Sequence, residues 1–327
     1  MKILITGGTG FIGSHLAEYL SAGKTEIYAL VRDPQKPKYL PSRGIHILQG
    51  DLFHVPALPA GLDCVFHLAG LTKALKTEDY YIANAEGTAR FYDALIRQNL
   101  APKVVHLSSL AACGPSWEGR ARRESDPAEP VTPYGKSKLQ GEREALARAN
   151  RFSVVIIRVG GVYGPRDIDF FYYIRQIRRG WMPIIGFKER KLSLCYVKDL
   201  VRALDLVSRT DVANGEIFNI GDPYPYTLED FGQAASAALG TKAKKIIIPL
   251  PLSYVGASLS ELKSRLTGRP TIITRGKYAE YRQAGWVADV AKAGEKLSFA
   301  TRYPLEEGVR ETVLWYQENG WLKCPDS

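Results

Sequence analysis

The chain has 327 residues, of which 45% are hydrophobic, so it can bury a large core and is too apolar to be disordered. Its formal net charge of +10 favours an anionic ligand or surface, but its basic residues form only short scattered clusters, which excludes a nucleic-acid-binding stripe. Four widely spaced cysteines and an apolar run that starts at residue 2 argue against disulfides, a metal site and a signal peptide, so we expect a cytoplasmic protein.

A glycine-rich turn joins the first predicted strand, residues 2–5, to a predicted helix. The turn reads Thr6-Gly7-Gly8-Thr9-Gly10-Phe11-Ile12-Gly13. Gly7 allows a sharp turn, Gly10 lets the backbone approach a pyrophosphate, and Gly13 lets the helix pack against the strand. Free N–H groups at the start of the helix would face the phosphates. The spacing predicts a dinucleotide-binding site.

Apolar runs alternate with helical segments along the first half of the chain. Predicted strands occupy residues 27–31, 46–48, 64–68, 103–107 and 153–157, and predicted helices occupy residues 78–98 and 134–149. This order is typical of an α/β fold with a Rossmann-type doubly wound parallel sheet. After about residue 165 the alternation loosens, which predicts a smaller mixed C-terminal substrate lobe.

The later part of the chain divides between the two predicted domains. Residues 197–207 and 217–220 look like further elements of the main sheet, whereas residues 305–319 form a predicted final helix. We therefore expect a dinucleotide-binding Rossmann domain of residues 1–165 plus 196–221. The substrate-binding lobe would consist of residues 166–195 plus 222–327.

The end of the second predicted strand bears on the choice of cofactor. An acidic residue at its last position would bind the adenosine ribose hydroxyls of NAD(H), but that position is Val31, and Arg32 follows it. An arginine at this point suits the 2′-phosphate of NADP(H), which is the favoured cofactor. In the alternative, Asp33 binds the ribose of NAD(H) and Arg32 is a solvated loop residue.

Tyr134 and Lys138 lie one turn apart at the start of a predicted helix, and so on the same face. A phenol has a pKa of about 10 in water, so proton exchange near neutral pH requires nearby positive charge, here from Lys138 and an oxidised nicotinamide. Ser109, at the end of the fifth predicted strand, is placed to hold the substrate oxygen. The Tyr-x-x-x-Lys spacing alone is common on helix surfaces. Its position downstream of a dinucleotide-binding glycine turn favours a catalytic pair over a surface pair.

The motifs occur in the order found in the extended short-chain dehydrogenase/reductase family, which includes the NAD-dependent epimerases and dehydratases, and the chain resembles this family almost from end to end. The matching segments are the glycine turn, Asp51-Leu52, His67-Leu68-Ala69-Gly70, Asn84 to Thr88, Ser108-Ser109, Tyr134 to Lys138, Arg158 to Pro165 and Tyr196 to Asp199. The resemblance implies an enzyme that transfers hydride between a nicotinamide and a carbinol or carbonyl carbon.

The resemblance also implies roles for individual residues. Ser109, Tyr134 and Lys138 would be catalytic, with Lys138 also binding the nicotinamide ribose and lowering the pKa of the phenol. The implied cofactor-binding residues are Gly7, Gly10, Phe11, Ile12, Gly13, Arg32, Asp51, Leu52, Leu68, Ala69, Gly70, Ser108, Tyr134, Lys138, Val159 and Val162. The expected substrate contacts are Ser109, Tyr134, Tyr163, Phe171 and Tyr172, the last two from an aromatic-rich segment that could instead be plain core. His15, His67 and Asn84 are expected to be structural.

Departures from the family pattern point to one branch. The dehydratases follow the catalytic hydroxyl residue with Asp-Glu, where this chain has Leu110-Ala111, and the nucleotide-sugar epimerases have an asparagine and an arginine where this chain has Gly161 and Leu192. Residues 30–34 resemble the dihydroflavonol-reductase branch, and residues 162–167 resemble the 3β-hydroxysteroid-dehydrogenase branch. We therefore expect an NADP(H)-dependent oxidoreductase acting on a secondary alcohol or ketone of a sterol-, terpenoid- or flavonoid-like substrate. The alternatives are a nucleotide-sugar 4-epimerase with tightly bound NAD and an NADP-binding redox-sensing regulator.

Two segments bear on partners other than the small-molecule substrate. Members of the family often dimerise through the helices that here would be residues 78–98 and 134–149, so we expect a homodimer, and no nucleic acid. Residues 249–266 follow Lys242, Lys244 and Lys245 and mix apolar with polar positions. We expect this segment to form an amphipathic helix over the active site, with peripheral membrane contact as the secondary interpretation.

Overall fold

The computed structural model describes residues 1–268, 271 and 274–322, so Cys324 lies outside the described residues. The strands of this part of the chain are β1 (Lys2–Thr6), β2 (Glu26–Val31), β3 (Ile45–Gln49), β4 (Cys64–His67), β5 (Lys103–Ser109), β6 (Val154–Val159), β7 (Gly161–Tyr163), β8 (Trp181–Ile185), β9 (Lys191–Leu192), β10 (Leu194–Tyr196), β11 (Glu216–Ile220), β12 (Tyr226–Thr227) and β13 (Lys244–Ile248).

The helices lie between these strands and after the last of them. They are α1 (Phe11–Ser21), α2 (Thr77–Tyr81), α3 (Gly87–Arg97), α4 (Leu110–Cys113), α5 (Pro133–Leu146), α6 (Asp169–Arg178), α7 (Val197–Arg209), α8 (Leu228–Ala238), α9 (Leu250–Thr267), α10 (Arg275–Tyr281), α11 (Ala291–Leu297) and α12 (Leu305–Glu318), with a π-helical turn at Ile82–Glu86.

A parallel sheet of seven strands, in the order β11-β6-β5-β4-β1-β2-β3, forms the centre of the described part of the chain. From β1 the chain adds strands in one direction to β3, then returns to the other side of β1 with β4 and continues outward. Thr6 at the end of β1 is therefore opposite Leu30 on one side and His67 on the other. In such a sheet, ligands bind at the strand ends where the order reverses. The predicted α/β Rossmann-type fold is confirmed.

Helices cover both faces of the sheet, which explains why its strands are apolar along their whole length. Ile3 and Ile5 of β1 belong to a core shared with α1 and α7, whereas Leu4 between them packs with Phe91 of α3 on the opposite face. Alternate residues of one strand thus enter two separate cores.

Two predicted elements differ in the structure. Residues 78–98 do not form one helix, because the π-helical turn separates α2 from α3, and Asn84 within it bonds to neighbouring segments. Residues 197–207 are not part of the sheet itself but form α7, whose buried apolar residues recur at helical spacing and pack on it. Residues 217–220 do enter the sheet, within β11, which pairs with β6.

The chain pieces assigned to the lobe meet outside the central sheet. β8 from the first piece pairs in parallel with β13 from the second, and helices α6, α8 and α12 enclose a core around Phe231 and Tyr316. No helix in the described ranges is both long and apolar enough to cross a bilayer. These same ranges contain no group of three or more His, Cys, Asp or Glu side chains arranged to hold a metal ion.

Candidate active site

A cleft of about 2320 Å³ opens at the carboxyl ends of the central strands, between the sheet and the lobe. Its floor begins at the glycine turn between β1 and α1. Gly7 has a φ of +73°, and a Cβ there would lie 2.7 Å from the Ala69 backbone nitrogen, whereas a Cβ on Gly13 would lie 2.3 Å from the Gly7 carbonyl oxygen. Side chains at these two positions would clash with the backbone of the turn and of the segment after β4, so glycine is required for the sharp turn and the close helix packing that a dinucleotide-binding site uses.

Free backbone donors complete this phosphate cradle. The N–H of Ser14 makes the first helical bond of α1, to the carbonyl of Gly10, so the three preceding residues have no partner within the helix. Those residues, Phe11 to Gly13, line the cleft. Their N–H groups and the positive end of the helix dipole favour an anion at this position.

Ser109 and Tyr134 reach the cleft from two short segments that pack tightly together. Ser109 ends β5, and its Oγ accepts a hydrogen bond of 3.1 Å from Ala111 N at the start of α4. Thr132 caps α5 by accepting from Gly135 N at 3.1 Å. A Cβ on Gly135 would lie 2.2 Å from the Ala111 carbonyl oxygen, so only glycine lets α5 approach α4 this closely. Ser109, Tyr134 and Lys138 all line the cleft.

Lys138 is buried one turn after Tyr134. Its Nζ donates a hydrogen bond of 2.7 Å to the carbonyl of Leu107. Burial lowers the pKa of this ammonium group to about 8, although the nearby Glu142 raises it. Since the group remains charged at neutral pH, it can hold hydroxyl groups of a bound ribose.

Burial raises the pKa of the Tyr134 phenol above its ordinary value, while Ser109 and Lys277 lower it in part. The cation that lowers this pKa is Lys277 of α10, whereas Lys138 Nζ is directed to the Leu107 carbonyl. Tyr80 also lies close, with its ring 5.9 Å from that of Tyr134. Tyr134 thus holds its proton at neutral pH and is suited to donate it.

A buried network behind these residues was missed by the sequence-based prediction. Glu142 accepts hydrogen bonds from Arg158 at 2.9 Å and 2.6 Å, and from Ser108. Both charged side chains are almost fully buried. The network ties α5 to the ends of β5 and β6, and so fixes the helix that carries Tyr134. Glu142 lies one turn beyond Lys138, and this spacing was the signal available in the sequence.

The three expected structural residues lie beside the cleft, and each is held by hydrogen bonds. Asn84 donates to Leu71 O and Ser137 Oγ. His67 lies 3.0 Å from the hydroxyl oxygens of Thr6 and Thr88, and His15 lies 2.8 Å from a backbone carbonyl oxygen. Burial lowers the pKa of His67 to about 3, so this side chain is neutral.

Most of the predicted cofactor-binding residues line the cleft, namely Gly7, Gly10, Phe11, Ile12, Gly13, Leu68, Gly70, Ser108, Tyr134, Lys138, Val159 and Val162. Four others are not part of its wall. Arg32 is exposed beyond β2, and Ala69 donates its N–H to Thr6 Oγ1 behind the glycine turn. The Asp51 carboxylate accepts from the N–H groups of residues 53 and 54, and Leu52 packs over α3 at Gly87.

Three of the predicted substrate contacts, Tyr163, Phe171 and Tyr172, are not part of the cleft wall. Phe171 packs against Tyr316 and Trp321, away from the cleft. Tyr172 is exposed on α6, and Tyr163 is buried among the lobe aromatics. The residues that line the cleft are instead Phe170 and Tyr173. These two are three apart on α6 and so share a face, whereas the intervening pair points elsewhere.

Comparison with known proteins agrees with this geometry. Residues 3–221, more than half of the chain, match the NAD dependent epimerase/dehydratase family. The chain is 27% identical over 326 residues to a ceramide reductase of Caulobacter vibrioides, covering 98% of this chain and 96% of the relative. It is 28% identical over 323 residues to the 4-hydroxy-2-methyl-3-oxo-4-farnesyl-3,4-dihydroquinoline-1-oxide ketoreductase of Stigmatella aurantiaca, covering 94% and 95% of the two chains.

A solved structure shows the same fold with ligands. MoeE5 in complex with UDP-glucuronic acid and NAD superposes with a TM-score of 0.75, at 26% identity, and covers 98% of this chain and 100% of its own. The family match, the relatives and the nicotinamide-binding fold agree. The chain belongs to the NAD dependent epimerase/dehydratase family and is an NAD(P)-dependent enzyme that acts on CH–OH groups.

Proposed function

We propose that the protein is an NADP(H)-dependent oxidoreductase that reduces a ketone, or oxidises a secondary alcohol, on a largely apolar substrate. The observation that carries this proposal is that most cations on the substrate side of the cleft already have partners within the protein. Five of them are paired with carboxylates, as Lys73 with Asp169, Lys188 with Glu118, Lys245 with Glu229, Arg275 with Glu261 and Lys277 with Glu280.

Arg190, a sixth cation of this wall, donates to three backbone carbonyls. A sugar diphosphate would have to displace these partners to be gripped, which disfavours a nucleotide-sugar substrate. Arg265 and Lys76 are exceptions, since both line the cleft and neither makes an ion pair with a described residue. Between the cations the wall is largely apolar, with side chains from Phe170, Tyr173, Ile184, Ile185, Leu192, Leu194, Ile247, Leu252 and Trp286.

The environment of β2 supports NADP(H) over NAD(H). Asp33, the alternative ribose-binding acid, accepts a hydrogen bond from Gln35 N at 3.1 Å and lies 3.3 Å from Lys36 Nζ. Its carboxylate is thus engaged within its own turn. Arg32 is exposed and makes no hydrogen bond with a described residue, so it is free to bind a 2′-phosphate.

The chemistry follows from the protonated Tyr134. In the reducing direction, the substrate oxygen is held by the Ser109 hydroxyl and takes the phenolic proton as negative charge develops on it. Lys138 positions the ribose at the reacting end of the cofactor. Hydride is what a bound nicotinamide would supply to the carbonyl carbon. In the oxidising direction Tyr134 would have to lose its proton first and then accept that of the alcohol, so the raised pKa of its phenol favours the reducing direction.

The relatives add support for an apolar substrate. Two of them are reductases, named for a ceramide and for a farnesyl-bearing quinoline oxide, and both are similar to this chain over nearly its whole length. The second candidate is a nucleotide-sugar 4-epimerase, favoured by the likeness to MoeE5 with UDP-glucuronic acid and NAD. A redox-sensing NADP-binding regulator is disfavoured because Ser109, Tyr134 and Lys138 all line one cleft.

Mass spectrometry and absorbance of the purified protein test the proposal directly. We expect an empty cofactor site that binds NADPH more tightly than NADH, and NADPH consumption with a panel of long-chain, steroid and flavonoid ketones. Arg32→Ala should reduce the NADPH preference about tenfold or more, whereas Lys24→Ala, at an exposed lysine before β2, should leave it unchanged. Retained NAD together with interconversion of UDP-sugars would instead establish the epimerase.

A further inference from the structure

Helix α9 has its apolar residues on the side that faces away from the protein. Five residues of one stripe are between 52% and 80% exposed, namely Leu252, Val255, Leu259, Leu262 and Leu266. On a helix of ~3.6 residues per turn these five lie within about 80° of arc. A surface helix of a globular protein normally turns such a stripe toward the core. We call these five residues the α9 stripe.

The opposite face of α9 is polar or small and forms part of the cleft wall. Ala257 and Ser264 are buried there, and Ser253, Tyr254 and Glu261 also line the cleft. The sequence led us to expect an amphipathic helix over the active site, which would explain the apolar positions by burial. The helix does lie over the site, but its apolar face is outward, so burial against the described part of the chain does not explain the stripe.

Charges border the α9 stripe on both sides. By helical spacing, Lys263 lies next to one edge of the stripe and Arg265 near the other. Both are exposed and make no ion pair with a described residue. The acidic residue of this helix, Glu261, is on the cleft side and pairs with Arg275. The outward face is therefore apolar with a basic border.

The apolar surface continues to the mouth of the cleft. Phe187, 80% exposed, follows Gly186, whose N–H bonds to Ile248 O and whose Cα lies close to Leu250 at the start of α9. Phe187 also lines the cleft, as does Leu252 at the first turn of the stripe. A bilayer against this surface would therefore lie beside the cleft entrance.

We propose that the α9 stripe docks the protein on an anionic lipid bilayer. Apolar side chains would enter the boundary between headgroups and acyl chains, while Lys263 and Arg265 reach the lipid phosphates. The net charge of +10 adds long-range attraction to such a surface. A second copy of this chain fits less well, because its α9 would bring no acidic residue on this face to meet the two cations.

Flotation of the purified full-length protein with vesicles tests this surface. The probes are vesicles of equal parts phosphatidylcholine and phosphatidylglycerol, compared with phosphatidylcholine alone. We expect the wild-type protein to float with the anionic vesicles and the double variant Leu259→Glu, Leu262→Glu to lose this binding at least ~10-fold. Leu314→Glu, at a leucine 41% exposed on α12, should bind like wild type. Lys263→Gln should weaken binding about fivefold.

Vesicle binding is independent of the proposed reaction, so the double variant should still oxidise NADPH with soluble ketones. Circular dichroism checks that this variant is folded. The docking proposal is overturned if the wild-type protein stays unbound with both vesicles. It is also overturned if light scattering shows a dimer that the double variant loses, since a second copy would then cover the stripe. Equal loss of binding in Leu314→Glu would show that the effect is not specific to α9.

Discussion

At the level of single residues, the proposed proton transfer depends on Tyr134 remaining protonated in a buried environment. Burial raises the pKa of its phenol, and Ser109 and Lys277 oppose this rise. Ser109 and Lys277 both lie outside α5. The hydroxyl is thus tuned by its surroundings in the folded cleft rather than by the adjacent lysine alone.

Tyr134→Phe removes the transferable proton and leaves the ring in place. We expect turnover to fall by about 10²–10⁴-fold while NADPH still binds, because general acid catalysis contributes gains of that size. Steady-state kinetics and fluorescence titration with NADPH measure the two effects. Tyr80→Phe is the matched control, since its ring lies beside Tyr134 in the cleft wall. Normal activity in Tyr134→Phe would remove the proposed mechanism.

Lys138 should give the free enzyme a basic pH limit. Because burial lowers its pKa to about 8, this side chain is charged below that pH and loses its charge as the pH rises through it. We expect kcat/KM to decline with an apparent pKa near 8. In Lys138→Arg, whatever activity remains should persist to higher pH, because arginine stays charged. An unchanged basic limb in that variant would show that another group controls it.

At the level of elements, α5 must be held rigidly against the sheet for its first turn to place Tyr134. The Glu142–Arg158 pair does this from within the core, where neither charge is solvated. Removing one partner leaves the other charge buried without compensation. The helix that carries Tyr134 and Lys138, the residues proposed to react, therefore also contributes to the stability of the fold.

Glu142→Gln should lower the free energy of unfolding by about 3–5 kcal/mol, as is typical for breaking a buried ion pair. Urea denaturation followed by circular dichroism measures the change. Glu144→Gln, on the same helix, disrupts a partly exposed pair with Arg148 just beyond the helix end and should cost less than about 1 kcal/mol. Similar midpoints for Glu142→Gln and wild type would mean that the network does not hold α5.

At the level of the whole molecule, the outer faces of α2, the π-helical turn and α5 are the expected dimer surface. Tyr81 and Ile82 are exposed there, beside a shallow hollow lined also by Ala85 and Gln140. Glu78 and Glu144 border the same hollow. A two-fold dimer would bury this apolar centre against its own copy.

Ile82→Glu should convert such a dimer into a monomer, because it places a charge in the apolar centre beside residues of the same sign. Light scattering coupled to gel filtration distinguishes the two states. Ile47→Glu, at a similarly exposed isoleucine on β3, should leave the dimer intact. A wild-type protein that elutes as a monomer at every concentration would contradict the dimer.

Much of the fold and of the candidate site could be predicted from the sequence because these features are set by local spacing. Glycines three apart at the end of a strand, and a tyrosine four residues before a lysine, occupy fixed relative positions once a turn or helix forms. The fold class follows similarly from the alternation of buried strands with helices. That is why the sequence could predict a phosphate cradle and could bring Tyr134 and Lys138 to one helix face, and both residues line the cleft with Ser109.

Only the tertiary structure decided which side of each lobe element faces the cleft. Phe170 and Tyr173 line the cleft, while Phe171 and Tyr172 do not. The sequence of α9 shows that the helix is amphipathic, but it does not show whether the apolar face points inward or outward. The Glu142–Arg158 pair and the action of Lys277 on Tyr134 likewise join residues distant in the chain. Spacing determines which residues share a face, but packing between distant segments determines where that face points.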